Sequence, residues 1–348
     1  MLNDYIQKNR ILLEKHIDTF FENKKKSIPP GLNTFTETIN HLQTIVPKGK
    51  LLRGIQILMA YEMTAGKLSE EAFNAAAALE IMQAGVLIQD DFMDNDYTRR
   101  GQRSVFAQFY DAGKTQGTVN PLLYGQSMAT CVGDIAYFLA FELLNTTNNS
   151  IILQSFSREW QLVGAGQMMD VDFSSRNYEP TEKEVMTIYT YKTARYSFSL
   201  PLSIGAILGK ADTSMINALD MVGEKMGILF QIKDDELGLF GDEKQLGKPI
   251  GSDIRENKKT LIRALLYQKA TENEKKQMTQ IFGKPDISEN NIDYIKQLVK
   301  KYSVLESLYN KVDKMKKAIN ASIEELSITE NYQSLLKELV VYISTRSQ

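Results

Sequence analysis

Two pairs of adjacent aspartates follow apolar stretches: Asp90-Asp91-Phe92-Met93-Asp94 after AGVLIQ, and Asp234-Asp235 after GILFQIK. A carboxylate at the inner end of an apolar helix is costly unless a positive charge neutralises it. On a helix of about 3.6 residues per turn, Asp90 and Asp94 point the same way, one turn apart, and can share a metal ion. Asp91 lies about 100° round the axis, which leaves it a supporting role, and Asp235 is read as supporting Asp234 in the same way. With no histidine or cysteine beside either pair, the donors are hard oxygens, which favour Mg²⁺ over zinc or copper. Mg²⁺ usually completes its shell with water and substrate phosphate, so a phosphorylated ligand is implied.

Cations follow each acidic pair. Tyr97-Thr98-Arg99-Arg100-Gly101-Gln102-Arg103 comes after the first, and Gly247-Lys248-Pro249-Ile250-Gly251-Ser252-Asp253, then Asn257-Lys258-Lys259, after the second. Guanidinium and ammonium groups suit phosphate oxygens, so the spacing joins metal ligands to phosphate grips.

The elements that must carry these residues read as helices, because apolar residues recur at three- and four-residue spacing between Pro- and Gly-containing breaks. A long helix is expected from Ser69 to Asp94. Ser69 can cap it, Glu70 and Glu71 suit its positive start, and the run Ala75 to Ala78 has high helix propensity. A second runs from Met215 to Phe240. Two helices that must face one ligand argue for one bundle, so the expectation is an all-α, single-domain bundle of ten or more helices around a central cavity, over residues 1–348.

Lys and Arg total 41 against 43 Asp and Glu, a net charge of −2, so no global field draws the chain to nucleic acid. The one cysteine, Cys131, lies in the apolar stretch MATCVGD and is expected to pack, and without a disulfide partner it points to a reducing compartment. The start MLNDYIQKNR lacks a signal-peptide core and no uninterrupted run reaches the roughly 18 apolar residues of a membrane span, so a cytoplasmic location is expected. His16 and His41 sit in segments remote from the motifs and neither is read as a general base.

Six segments together resemble the trans-isoprenyl diphosphate synthases, and they span nearly the whole chain: GKLLRG from Gly49, MQAGVLIQDDFMDNDYTRRGQ, GQMMDVD, YKTARYSF, FQIKDDELGLFGD and GKPIGSDIRENKKTL. The resemblance implies extension of an allylic diphosphate by five-carbon units from isopentenyl diphosphate. It implies that Asp90, Asp94 and Asp234 hold Mg²⁺, three ions in all, against the allylic diphosphate. Arg99, Lys192 and Lys248 match the positions that bind that diphosphate, Lys50, Arg53, Gln83 and Arg100 those that grip isopentenyl diphosphate, and Lys258 adds positive charge. Thr193, Gln231 and Lys192 resemble the groups that stabilise the allylic cation, and a homodimer is implied. The expected course is ionisation, condensation and elimination, with Gly247 to Gly251 as a lid that excludes water.

Two positions depart from the family pattern. Gly238 stands where many members have a third aspartate, and Leu51 where many have an arginine. Product length is expected to be set along the Ser69 to Asp94 helix. Gly85 and Val86, one turn before Asp90, leave room where farnesyl-specific members carry an aromatic plug, and Met82 is the candidate floor. Each further turn adds about 5.4 Å, roughly one isoprene unit, so geranylgeranyl diphosphate is the expected main product. Gly85 has a second reading, as a site of close helix packing. A farnesyl or longer-chain synthase, a class I terpene cyclase, and a noncatalytic prenyl-diphosphate-binding subunit are the alternatives.

Overall fold

The apolar periodicity becomes helix nearly everywhere. In the computed structural model, residues 1–99, 101–241, 251–284 and 286–346 are described, and among them the only strands are the two of a short hairpin. In chain order the elements are α1 (Leu2–Lys26), α2 (Asn33–Ile45), a 3₁₀ turn (Val46–Lys48), α3 (Leu52–Ala65), α4 (Glu70–Met93), β1 (Thr98–Arg99), β2 (Gln102–Arg103), α5 (Val105–Thr115), α6 (Pro121–Asn145) and α7 (Ser150–Ser175). They continue with α8 (Glu182–Ile188), a π-helical segment (Tyr189–Ser199), α9 (Leu200–Leu208), α10 (Thr213–Phe240), α11 (Ser252–Arg255), α12 (Leu261–Lys269), α13 (Glu272–Ile281), α14 (Glu289–Lys301), α15 (Val304–Glu324) and α16 (Glu330–Thr345). The chain falls into two compact units, Met1–Ser155 with Pro201–Ile216, and Phe156–Leu200 with Asn217–Gln348.

In the first unit α4 is the central helix, packed against α1, α2, α3, α5 and α6. Its Ala75 to Ala78, Leu79, Ile81 and Met82 have no exposed surface, as expected of a helix apolar on every side. The expected boundaries hold: Ser69 is the N-cap, its side chain accepting from the Ala72 N–H at 3.3 Å, and Asp94 is the C-cap. Such a cap contributes about 1 kcal/mol. α10 starts two residues before the expected Met215 and ends at Phe240 as expected.

The second unit gathers its core around α12, α14 and α15, with Leu261, Leu266, Leu298, Val299, Val304 and Leu308 buried together. Each such side chain contributes roughly 1.5–3 kcal/mol on burial. Its unforeseen element is the π segment, a geometry frequent at functional sites, which carries YKTARYS. Glycines on the flanking helices let it sit close: a Cβ at Gly166 of α7 would lie 2.5 Å from the Lys192 N, and one at Gly227 of α10 2.4 Å from the Ala194 Cα.

Two expectations are corrected, and a short hairpin joins the helices. Cys131 is exposed, since α6 turns Val132 and Gly133 inward instead. Thr98–Arg99 and Gln102–Arg103 form an antiparallel hairpin, pairing Thr98 with Arg103 and Arg99 with Gln102. And although no uninterrupted apolar run marks them, Glu70–Met93 and Pro121–Asn145 are long and apolar enough to cross a membrane, with mean hydropathies of 1.2 and 1.4. The first is a core helix, 72% of its apolar window being buried, against 44% for the second.

Candidate active site

The first cluster is the carboxyl end of α4. Here the helix dipole is negative, and no basic residue occupies the last turn, so the carboxylates need a cation from elsewhere. Asp90 and Asp94 are half-buried, while Asp91 is only 2% exposed. The hairpin supplies the cation: Arg99 Nε donates to Asp91 Oδ1, and its Nη2 lies 3.7 Å from Asp90 and 3.6 Å from Asp96. Burial alone would lower the Arg99 pKa, but the charges of Asp91, Asp90 and Asp96 outweigh it and raise it. Arg99, expected to bind diphosphate, is thus held in this state by the acidic cluster itself.

A cavity of about 400 Å³ adjoins this cluster, lined by Gln83, Leu87, Asp91 and Arg99 with Gly49 and Lys48. Gln83 thus lines the same cavity as Gly49, the first residue of GKLLRG. Within that turn Leu51 is buried with a left-handed φ of 50°, a conformation that costs a leucine of order 1 kcal/mol. Lys50 is exposed and Arg53 half-buried on either side of it. His41, remote in sequence from the motifs, also lines the cavity. Its pKa is lowered by burial against the opposing charge of Glu37.

The residues expected to set product length lie on another part of α4. Met82 is fully buried and Val86 half-buried. Gly85 faces α6, where an added Cβ would lie 2.7 Å from the Tyr137 ring and 3.0 Å from the Gly133 carbonyl oxygen. The packing reading of Gly85 is what this contact shows. Tyr137 also donates to Gln89 Oε1 at 2.8 Å, next to Asp90.

The second cluster is a pocket of about 110 Å³ lined by Lys192, Thr193, Gln231, Asp235, Asp253 and Lys258, with Asp170 among them. Lys192 donates to Asp170, and Lys258 lies 3.3 Å from the same carboxylate. Asp170 belongs to GQMMDVD, and that motif is the sequence signal that points to it. Asp234 is 41% exposed and pairs with Arg346, whose guanidinium lies 3.8 Å over the Phe230 ring. Asp235 is buried and accepts from the Tyr189 hydroxyl and from Gln231 Nε2. Burial, then Asp253, pushes its pKa well above the usual carboxylate range. At Gly238 an added Cβ would lie 2.6 Å from Asp253 Oδ2, so a carboxylate from another segment already stands beside the absent third aspartate. Arg100, Lys248 and most of the expected lid lie outside the described residues.

The donors suit Mg²⁺ in kind: accessible carboxylate oxygens on Asp90, Asp94 and Asp234. Among the described residues no three acidic, imidazole or thiol groups are placed to hold a metal ion.

A polyprenyl synthetase family model matches residues 35–300. The chain belongs to the polyprenyl synthetase family. It is 34% identical over 309 residues to a geranylgeranyl diphosphate synthase of Saccharolobus solfataricus, covering 87% of this chain and 86% of that one. It is 31% identical over 290 residues to a short chain isoprenyl diphosphate synthase of Methanocaldococcus jannaschii, covering 81% and 83%. Among solved structures, a geranylgeranyl pyrophosphate synthase of Corynebacterium glutamicum, complexed with isoprenyl diphosphate and magnesium, matches with a TM-score of 0.90 at 26% identity over 99% of both chains. This polyprenyl synthetase is a trans-prenyltransferase with the all-helical isoprenoid synthase fold.

Proposed function

We propose that this synthase condenses an allylic diphosphate with isopentenyl diphosphate in the presence of Mg²⁺, and that geranylgeranyl diphosphate is its main product. The observation that carries the reading is the company kept in the second cluster, where Lys192, Lys258, Thr193 and Gln231 line one pocket. The two units act as one catalytic domain, a reading supported by a single family match that runs through both. Bound with the diphosphate, three Mg²⁺ ions on Asp90, Asp94 and Asp234 supply charge neutralisation of the leaving group.

The chain's own groups do the rest. Lys192 and Lys258, with Arg99 and Lys248, hold the allylic diphosphate while its C–O bond breaks and the electron pair leaves with it. The side-chain oxygens of Thr193 and Gln231 face the allylic cation. Lys50, Arg53, Gln83 and Arg100 hold the second substrate so that its double bond forms the new C–C bond. The proton then lost passes to the released diphosphate, and no side-chain nucleophile takes part.

Two geranylgeranyl diphosphate synthases among the relatives support the twenty-carbon product. Homodimerisation belongs to the same reading, favoured by Leu123 and Phe138 of α6, which are 58% and 74% exposed.

Incubation with Mg²⁺, farnesyl diphosphate and isopentenyl diphosphate tests the reading. Elongation to the twenty-carbon diphosphate, abolished by excess chelator, is expected; diphosphate release without elongation would make the protein a cyclase, and no turnover a binder. Met82→Ala should lengthen the product on chromatography, and an unchanged length would remove Met82 as the floor.

A further inference from the structure

We propose that Asp235 is a positioning residue acting through Gln231, turning the Gln231 carboxamide so that its oxygen faces the reacting allylic carbon. The inference rests on the prenyl transfer proposed above and assigns the second aspartate of the pair a task other than metal binding.

The arrangement is a chain of hydrogen bonds in which each donor is committed. The Leu261 N–H donates to the Tyr189 hydroxyl oxygen at 2.7 Å, which leaves the hydroxyl proton for Asp235 Oδ2. Asp235 Oδ1 accepts from Gln231 Nε2 at 2.9 Å. Asp235 is 6% exposed, whereas the neighbouring Asp234 side chain is 41% exposed and pairs with Arg346.

A carboxamide is planar, with its NH₂ and its oxygen on opposite sides. With the Tyr189 hydroxyl donating to Oδ2, the free Oδ1 of Asp235 takes the NH₂, which sends the carboxamide oxygen the other way. The orientation matters because a carboxamide has a negative end and a positive end. Gln231 lines the pocket that also contains Lys192 and Thr193, so whichever end it presents meets the developing cation. The oxygen stabilises that charge and the NH₂ opposes it.

An asparagine at 235 keeps the size of the side chain but adds a donor, and Gln231 can then turn over. The test compares D235N, D234N, Y189F, Q231L and the double variant Q231L/D235N in steady-state prenyl transfer. KM for both substrates and the Mg²⁺ concentration for half-maximal rate are measured for each.

For D235N we expect kcat to fall by about 100-fold, the scale of one lost charge-stabilising group, with both KM values and the Mg²⁺ requirement unchanged. Y189F should move the same parameter in the same direction. Q231L/D235N should be no slower than Q231L, because the two act as one unit. A raised Mg²⁺ requirement in D235N like that of D234N would overturn the inference, as would an additive double variant. Should D235N fail to fold, Y189F in the wild-type and Q231L backgrounds decides by the same criteria. An active wild type with a shifted Mg²⁺ profile in D235N rejects this inference alone; a wild type that elongates nothing rejects the parent reading and this one with it.

Discussion

At the end of α4, the accessible Asp90 neighbours an Asp91 buried against a guanidinium; near the end of α10, the accessible Asp234 neighbours an Asp235 buried against a hydroxyl and a carboxamide. The helical repeat turns one carboxylate of each pair outward and one inward. What differs is the inward partner. Asp91 is matched by a full positive charge, and the Arg99 pKa rises accordingly. Asp235 is matched by neutral dipoles, and burial drives its own pKa up. The first inward carboxylate anchors a cation next to the proposed metal site, while the second shapes a dipole.

The contrast breaks most sharply in activity. Asp90→Asn and Asp234→Asn should each reduce kcat/KM by about 100- to 1000-fold through lost stabilisation of the leaving group, with a raised Mg²⁺ requirement in steady-state assays. A wild-type Mg²⁺ profile in either variant would end the parallel between the outward carboxylates. Stability separates the inward pair next. Asp91→Asn strips a buried ion pair and should cost about 3 kcal/mol in urea unfolding, whereas Asp235→Asn, which loses only neutral partners, should cost about 1 kcal/mol. Equal costs would mean that Arg99 does not carry the difference.

Smaller effects sharpen the comparison. Arg346 must leave Asp234 before a metal ion takes its place, so Arg346→Ala should lower the half-saturating Mg²⁺ concentration by about two- to fivefold, the worth of a partly exposed pair. An unchanged value would show that the pair does not compete with metal. Smallest is the effect of Lys259, whose pKa is lowered to about 8 by burial, then by Arg263, against the pull of Glu179. Above pH 8 the folded lysine is neutral while the unfolded one still holds its proton up to its ordinary value of 10.5. The unfolded state binds more protons in that window, so stability rises with pH across it. Urea midpoints of wild type minus Lys259→Met should therefore climb between those two values, and a flat difference would deny the shift.

Much of this was legible in the chain. The Asp90 and Asp94 face follows from helical spacing alone, and the Ser69 cap and Phe240 end of the two long helices from local side-chain chemistry. Contacts between distant segments were not legible. Tyr189 reaches Asp235 across 46 residues and Arg346 reaches Asp234 across 112, and no periodicity encodes such pairings. The π segment was hidden because its residues have ordinary helical spacing, and the close approach at Gly166 and Gly227 that accompanies it is tertiary. Gly85 carries two readings: the Tyr137 ring and the Gly133 carbonyl stand where a side chain would go, so Gly85→Phe should destabilise the fold as well as shorten the product.

The central claim is that Asp90, Asp94 and Asp234 serve one diphosphate together. Calorimetric binding of an unreactive allylic thiolodiphosphate in saturating Mg²⁺, to wild type, D90N/D94N and D234N, tests it most directly. The account predicts tight binding to the wild type, dependent on Mg²⁺ and lost in both variants alike. Wild-type affinity in either variant, or binding indifferent to Mg²⁺, would contradict it.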